Sequence, residues 1–458
     1  MIENDAFKLL LINLFHLNPN DITNIVCTTF NKMMVLLVTL ADKHQACPYC
    51  GFTAPKIKEY VTKEITHSAL TTQKCIIKYR ARRYKCPCCG KTYYEFNPFV
   101  FKSQKISILT VHNILKDLKD FNETFTSVAR RYHVSPTSVS TIFDNHVDIG
   151  RNPLPEIINF DEVYAFKSEK SKYVCVLLDF KKQIPVDVLP NRKKEYLLNY
   201  FQKIPLEERK KVKYACSDMY EVYRDVVHKV FPEAKHLLDY FHLSQDFHKK
   251  MNEVRIKVMK GYKDNKASDE YYLLKKFNWL LFKNPEDEDK YGRLFDVERE
   301  RKYNSHFKSY MNYYDLRKKL LEINNDLTIC YSLKLELVDF YSKSTIDNAQ
   351  VNLEHLIRSF IDTNIEEMIK FSNNLINWKQ EIINSFTIVG TEYKVEADKG
   401  QVVVCNKKVN NAIIENRNKI IKCIKNNANG YTNWSRFRNR VMYVLDPNAT
   451  FSLEPREK

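Results

Sequence analysis

A chain of 458 residues is long enough for two or three domains, each with its own buried core. Its 73 lysines and arginines against 56 aspartates and glutamates leave a formal charge of +17, which points to a polyanionic partner. No charged-then-apolar leader opens the sequence, and the apolar run Met33–Val38 falls far short of the roughly 20 residues that cross a bilayer, so no membrane partner and a cytoplasmic location are expected.

In chain order, a short helix is expected around Ala6–Phe15, then β-rich sequence through Val35–Leu40, and short strands between residues 47 and 96. Four of the 12 cysteines form two tight pairs, the pattern of a metal site in a reducing compartment rather than of disulfides. Cys47-Pro-Tyr-Cys50-Gly51 and Cys86-Pro-Cys88-Cys89-Gly90 each end in a glycine that can turn the chain under a metal. Thiolates from Cys47, Cys50, Cys86 and Cys89 satisfy zinc fully and leave no position for water, so a structural zinc is expected, with Cys88 as an alternative ligand in the second pair. Nine lysines and arginines against two glutamates from Lys56 to Lys85 suit a β-module lying on phosphates, and Arg80, Arg82 and Arg83 are its candidate DNA contacts.

A helix over Ile106–Leu118 and a helix pair over Thr126–His146 follow. Apolar Val128, Tyr132, Val134, Val139 and Ile142, with small Ala129 where helices cross, give helix-turn-helix spacing. Ser135 can cap the second helix and Pro136 suits its first position. Thr137, Ser138, Ser140 and Thr141 are left to face a major groove, with Arg130 and Arg131 for phosphates. His133 stands in the turn, where glycine is commoner. Asn152-Pro153-Leu154-Pro155 reads as a linker.

Strands alternate with helices beyond it: strands Ile157–Phe166, Tyr173–Phe180 and Ile184–Leu189, helix Lys194–Ile204, strand Val212–Cys216, helix Tyr220–Phe231 and strand Lys235–Leu238. Asp161 lies inside the first apolar strand, where a charge is costly unless it binds something, and Asp218 ends the fourth. This order is the arrangement of a ribonuclease H-like α/β fold, in which the two side chains converge on shared metals. Helical periodicity then runs from Leu243 to about Ser385, and strand-like sequence at Phe386–Val389 and Gln401–Val404 leads back to the core and into a basic helix over Asn411–Ile424. That helix supplies Glu415 as the third acid, with Arg417, Lys419 and Lys422 toward DNA. Hard oxygen ligands of this kind hold two magnesium or manganese ions about 4 Å apart, which activate an attacking oxygen and stabilise a leaving one.

With these motifs in place, the chain resembles the ISL-three family of bacterial insertion-sequence transposases over nearly its full length. The resemblance rests on the cysteine pairs, Asn159-Phe160-Asp161-Glu162, Asp187-Val188-Leu189-Pro190, Ser217-Asp218-Met219-Tyr220, Asp239-Tyr240-Phe241-His242 and, most specifically, the run from Ile414-Glu415-Asn416-Arg417-Asn418-Lys419 through Gly430-Tyr431 to Arg436-Phe437-Arg438. It implies a DDE transposase whose Asp161, Asp218 and Glu415 bind catalytic magnesium or manganese, with Asp239 and His242 orienting ligands or substrate around them. The expected parts are an N-terminal zinc-binding module (1–98), a helix-turn-helix DNA-binding domain (99–152), a ribonuclease H-like core in two pieces (153–243 and 386–458), and an all-helical insertion (244–385). The expected partners are double-stranded DNA, as terminal inverted repeats and target, and a second copy of the chain when DNA is bound. A zinc-containing DNA-binding regulator without catalysis is the competing expectation.

Overall fold

The computed structural model describes residues 2–43, 46–101, 104–166, 171–395 and 402–456, and the apolar residues among them gather under two five-stranded sheets and a helical body. Helix α1 (Ile2–Leu14) and the residue after it set Leu11, Ile12 and Phe15 against the first sheet. That sheet contains β1 (Ile22–Phe30), β2 (Met33–Leu40), β3 (Lys56–Thr66), β4 (Cys75–Lys85) and β5 (Thr92–Tyr94), ordered β1-β2-β4-β3 with β5 on β4. Strands β3 and β4 are 11 residues each, longer than the short strands expected. On β4, Cys75, Ile77, Tyr79 and Ala81 enter the core while Lys78 and Arg80 alternate with them, so the basic residues are the outer face of one long strand rather than breaks between short ones.

Helices α2 (Ile108–Asp117), α3 (Phe125–Arg131) and α4 (Pro136–His146) form the next unit. Thr124 and Ser127 make a reciprocal capping box at the start of α3, and Ser135 accepts from the Ser138 N–H at 3.0 Å with Pro136 in the first turn of α4. His133 adopts φ +55° in the turn, the left-handed conformation for which glycine is the easier residue. Val128, Ala129, Tyr132, Val139 and Ile142 are buried between the helices.

The stretch expected to be a linker is instead clamped down. The Asn152 N–H donates to Val186 at 2.9 Å, its amide donates to Pro185 (2.8 Å) and Asp446 (2.9 Å), and the Leu154 N–H donates to Glu208 at 2.8 Å.

The second sheet is built from β6 (Ile157–Val163), β7 (Val174–Asp179), β8 (Pro185–Leu189), β9 (Tyr214–Ser217) and β10 (Lys235–Leu238), in the order β10-β9-β6-β7-β8. β10, β9 and β6 run parallel; β7 and β8 are antiparallel to their neighbours. Between them lie α5 (Lys194–Gln202), the single turn α6 (Leu206–Arg209) and α7 (Glu221–Val230). Ile158 and Phe160 of β6 pack with Leu197, Phe201, Tyr223 and Val227 under α5 and α7. Alternation along a strand turns Asn159, Asp161 and Val163 to the opposite face.

From β10 the chain enters α8 (Tyr240–Lys260), followed by α9 (Asp269–Lys276), α10 (Tyr313–Glu322), α11 (Asn325–Lys343), α12 (Ala349–Ile361), α13 (Glu366–Asn377) and α14 (Lys379–Asn384) around one core. Two small hairpins, β11–β12 (Glu288–Asp289, Gly292–Arg293) and β13–β14 (Lys302–Asn304, Ser309–Met311), interrupt these helices where only helical sequence was expected. β15 (Ile388–Val395) and β16 (Val402–Lys408) pair with each other as a separate hairpin and do not join the core sheet; Gln401 of the expected strand lies outside the described residues. Two helices close the chain, α15 (Ala412–Asn427) and α16 (Trp434–Leu445), and they cover the other face of the second sheet through Ile414, Ile421, Ile424, Phe437, Val441 and Leu445.

The C-terminal end also grips the three-helix unit. Tyr443 enters that unit's core and donates to Leu115 at 3.0 Å, buried Arg440 donates to the Asp120 and Glu123 carbonyls at 2.8 Å each, and Lys119 reaches back to the Asp446 (2.8 Å) and Ala449 (2.6 Å) carbonyls. Arg438 meets buried Asp187 of β8 at 2.6 Å and donates to Ile149 at 2.7 Å, so α16 is fastened to sheet and helices together. Among the described residues no helix is long and apolar enough to cross a membrane.

Candidate metal centres and nucleic-acid face

At the N-terminal end, the sulfurs of Cys47, Cys50, Cys86 and Cys89 lie within 4.8 Å of one another. The two pairs are built alike. Gly51 and Gly90 take φ +73° and +69°, and their N–H groups return to the Cys47 and Cys86 carbonyls at 2.8 and 2.9 Å. Positive φ is what glycine permits here, and it folds each turn so that both sulfurs of a pair face inward. The N–H groups of Cys89 and Cys88 aim at the Cys86 sulfur and bring its thiol down to about 7. Cys88 is exposed and outside the sulfur cluster, so Cys89 completes the set of four. Tyr84 and Tyr93 stack beside the cluster at 5.6 Å between ring centres.

The carboxylates gather on the second sheet, by strand register. β6 pairs Asn159 with Cys216, and β10 pairs Leu238 with Ser217. Continuing both registers by one or two residues sets Asp161, Asp218 and Asp239 in a row across three neighbouring parallel strands, which are spaced about 4.8 Å apart. Asp218 and Asp239 stand just past the carboxyl ends of β9 and β10, the side on which parallel α/β sheets hold ligands. Helix α15 crosses above. The Asn411 N–H at its start donates to Asp239 at 3.1 Å, and the Asn411 side chain accepts from Asn159 at 2.7 Å. Glu415 and Asn418, three residues apart, share the inner side of the helix.

Asn418 donates to Asp161 Oδ2 at 2.7 Å, and the Glu162 N–H occupies Oδ1 at 2.7 Å. Glu415 meets a different neighbour: His242, on the first turn of α8, brings Nε2 to 3.7 Å from Glu415 and 3.8 Å from Asp239. Among the described residues the acidic grouping within 4.8 Å is therefore Asp239, His242 and Glu415, while Asp161 and Asp218 form the adjoining part of the row. One imidazole serves the whole row, since His242 lowers Asp161, Asp218, Asp239 and Glu415 alike.

That relief is incomplete. Burial, with Asp218 and Glu162 alongside, pushes Asp161 up to about 7, and burial with Glu162 pushes Asp218 up to about 6. Burial also raises Asp239, and burial with Asp239 raises Glu415. Asp218 Oδ1, Asp239 Oδ2, His242 Nε2 and Glu162 Oε2 are buried without a hydrogen-bond partner. Orphaned acceptors of this kind in a cluster of like charge fit a cation.

Sequence reasoning missed several residues here. Glu162 is paired with Arg192, whose guanidinium stacks over Tyr173 and Tyr220 at 4.7 Å each. Asn159, Asn411 and Asn418 carry the contacts between β6 and α15, and an asparagine gives no periodic signal by which to find it.

The candidate DNA contacts divide into free and committed groups. Arg80, Arg130, Thr137, Thr141, Lys419 and Lys422 are exposed. Ser138 and Ser140 are half-buried, the first sharing a 2.8 Å contact with Ser135 and the second donating to the Thr137 carbonyl at 3.0 Å. Arg417 reaches the Gln183 carbonyl at 3.1 Å, and Arg83 pairs with Glu59 at 2.7 Å. Arg82 is turned inward to Glu95 (2.8 Å) and to the Leu40 and Ala41 carbonyls, and Arg131 is held by Asp117 and Glu123. Those two guanidiniums tie the fold together, a use of arginine that sequence does not distinguish from phosphate binding.

Comparison with known proteins places the chain in a family. Residues 158–397 match a family model described as a transposase, of the ISL-three DDE type. The transposase for insertion sequence element IS1001 of Bordetella parapertussis is 19% identical over 409 residues, which cover 89% of this chain and 90% of that protein.

Proposed function

This chain belongs to the ISL-three family of transposases, and from that membership we propose that it cuts and rejoins DNA at the ends of its own insertion sequence with Asp161, Asp218 and Glu415 as the catalytic acids. The observation that carries this reading is the row of carboxylates within β6 (Asp161) and just past β9 and β10 (Asp218, Asp239), crossed by a helix that brings Glu415 and Asn418 over it. The sheet order β10-β9-β6-β7-β8 supports a ribonuclease H-like core in two pieces, 153–243 and 386–458, with 244–385 as the helical insertion. A zinc-binding module (1–98) and a helix-turn-helix domain (99–152) precede it.

Asp218 Oδ1, buried without a partner, fits a hard divalent ion, and Asp161, Asp218 and Glu415 would hold magnesium or manganese. When bound, the ions supply positive charge for the attacking and leaving oxygens of a phosphodiester exchange. The chain's own residues do the placing. Asn418 and the Glu162 N–H fix both oxygens of Asp161, and Asn411 fixes one oxygen of Asp239. Arg192, half-buried and paired with Glu162 beside Asp161, supplies positive charge next to the row. In the first step water attacks phosphorus and the bond to the 3′ oxygen breaks, leaving a 3′-hydroxyl and a 5′-phosphate. In the second, that 3′-hydroxyl attacks a phosphodiester of the target and displaces its 3′ oxygen.

The four sulfurs would hold a structural zinc, since they lie within 4.8 Å of one another and four thiolates complete its tetrahedral set. Thr137 and Thr141 on α4 would read the terminal repeats, with Arg80, Arg130, Lys419 and Lys422 on phosphates. Bringing two ends together calls for at least a dimer on DNA, in the cytoplasm where the nucleoid lies. The test is cleavage and strand transfer by purified protein on DNA carrying the element's ends. Asp161→Asn, Asp218→Asn and Glu415→Gln are each expected to abolish both reactions and to leave end binding intact. Cleavage that survives any of these substitutions would overturn the assignment, and end binding without cleavage by the unaltered protein would favour the regulator.

A further inference from the structure

Two features of the acidic row set its Glu415 end apart from its Asp161 end. The first is spacing. His242 Nε2 stands 3.8 Å from Asp239 Oδ2 and 3.7 Å from Glu415 Oε1, and the three donors lie within 4.8 Å of one another. These separations are too long for hydrogen bonds. They match two ligands of one ion, because bonds of about 2.0–2.2 Å put such ligands roughly 3–4.4 Å apart. The second is an unmet need. Asp239 is 2% exposed and its Oδ1 is fixed by Asn411; the Phe241 and His242 N–H groups lie close enough to lower it, yet its Oδ2 completes no hydrogen bond, and neither does His242 Nε2. A protonated His242 acting only as a counter-charge would close to hydrogen-bond distance on one of these carboxylates.

Resting on the transposase reading above, we infer that Asp239, His242 and Glu415 together ligate one of the two ions directly, and that the imidazole makes this subsite select manganese over magnesium. Imidazole nitrogen is a poor ligand for magnesium, which takes oxygen donors and water, whereas first-row transition ions accept it. The Asp161 end, all oxygen, carries no such preference. The chain thus has one subsite that discriminates between metals and one that does not.

The experiment is Mn²⁺ titration of the full chain followed by electron paramagnetic resonance, with Mg²⁺ as competitor. Bound Mn²⁺ is expected to show ¹⁴N modulation from a directly coordinated imidazole in the unaltered protein. His242→Gln is expected to abolish the nitrogen signal and to weaken Mn²⁺ at that site by roughly 10–100-fold with little change in Mg²⁺ affinity. Asp161→Asn is expected to keep the nitrogen signal. A protein that binds Mn²⁺ without nitrogen modulation, or a His242→Gln variant that retains it, would overturn the inference. Cleavage assays separate this failure from that of the functional reading: loss of cleavage in Asp161→Asn without nitrogen modulation leaves the transposase site standing and removes only the ligand role of His242.

Discussion

The protein carries two clusters of metal-type donors, and they are built on opposite principles. The four sulfurs are supplied in matched pairs by two similar turns, face one another, and leave nothing unmet among themselves. The acidic row draws on β6, β9, β10, α8 and α15, buries several like charges beside a single imidazole, and leaves four donor atoms without partners. A closed, self-sufficient donor set holds a fold together, whereas an open and unbalanced one keeps capacity in reserve for a reacting phosphate.

The largest expected effect breaks the open cluster alone: Asp161→Asn lowers strand cleavage by at least ~10³-fold, measured in single-turnover assays on end DNA, while zinc content stays unchanged. Next, Cys47→Ser or Cys86→Ser should release zinc, remove the N-terminal module's cooperative unfolding transition, and weaken end binding by at least about tenfold as phosphate contacts are lost. Metal binding at the acidic row, followed by Mn²⁺ titration, is expected to survive those two changes. If it does not, the clusters are coupled and the contrast fails.

The remaining two effects sharpen the contrast through stability. In metal-free protein at pH 8, Asp161→Asn should raise Tm, by roughly 2–4 °C for each kcal/mol relieved, because it removes a buried charge. Cys47→Ser should do the opposite. The smallest effect is pH dependence. Asp161 titrates at about 7 in the fold against an ordinary 3.8, so between those values the folded state binds a proton that the unfolded chain does not. Its contribution is fully present below pH 3.8 and is lost as pH rises through about 7, and Asp218 behaves the same way through about 6. Metal-free protein should therefore melt lower at pH 8 than at pH 5.5, and saturating Mn²⁺ should narrow that gap. A flat calorimetric profile would mean that the row is not electrostatically strained.

Much of this layout was legible from the amino-acid order, for physical reasons. Strand periodicity located all five core strands, since buried parallel strands read as apolar runs, and a charge inside such a run, as at Asp161, stands out. The cysteine turns were legible because glycine marks the positive φ that each requires. The asparagines joining β6 to α15 were not, because contact between Asn418 and Asp161 depends on a helix arriving from far along the chain. Nor was it visible that Asp239 and His242 group with Glu415 within 4.8 Å, since strand register and helix placement decide that. The β15–β16 hairpin escaped for a related reason: apolar alternation identifies a strand but not its partner.

One consequence follows from the grip of the C-terminal segment on the three-helix unit. Tyr443, Arg440, Lys119 and Arg438 join α4's unit to the sheet that carries the acids. If α4 reads the DNA as proposed, a duplex on it would meet the acidic row at a separation set by those contacts. Adding about 5 base pairs between the sequence that is read and the bond that is cut would turn that bond to the far side of the helix, whereas adding about 10 would restore its facing but not its reach.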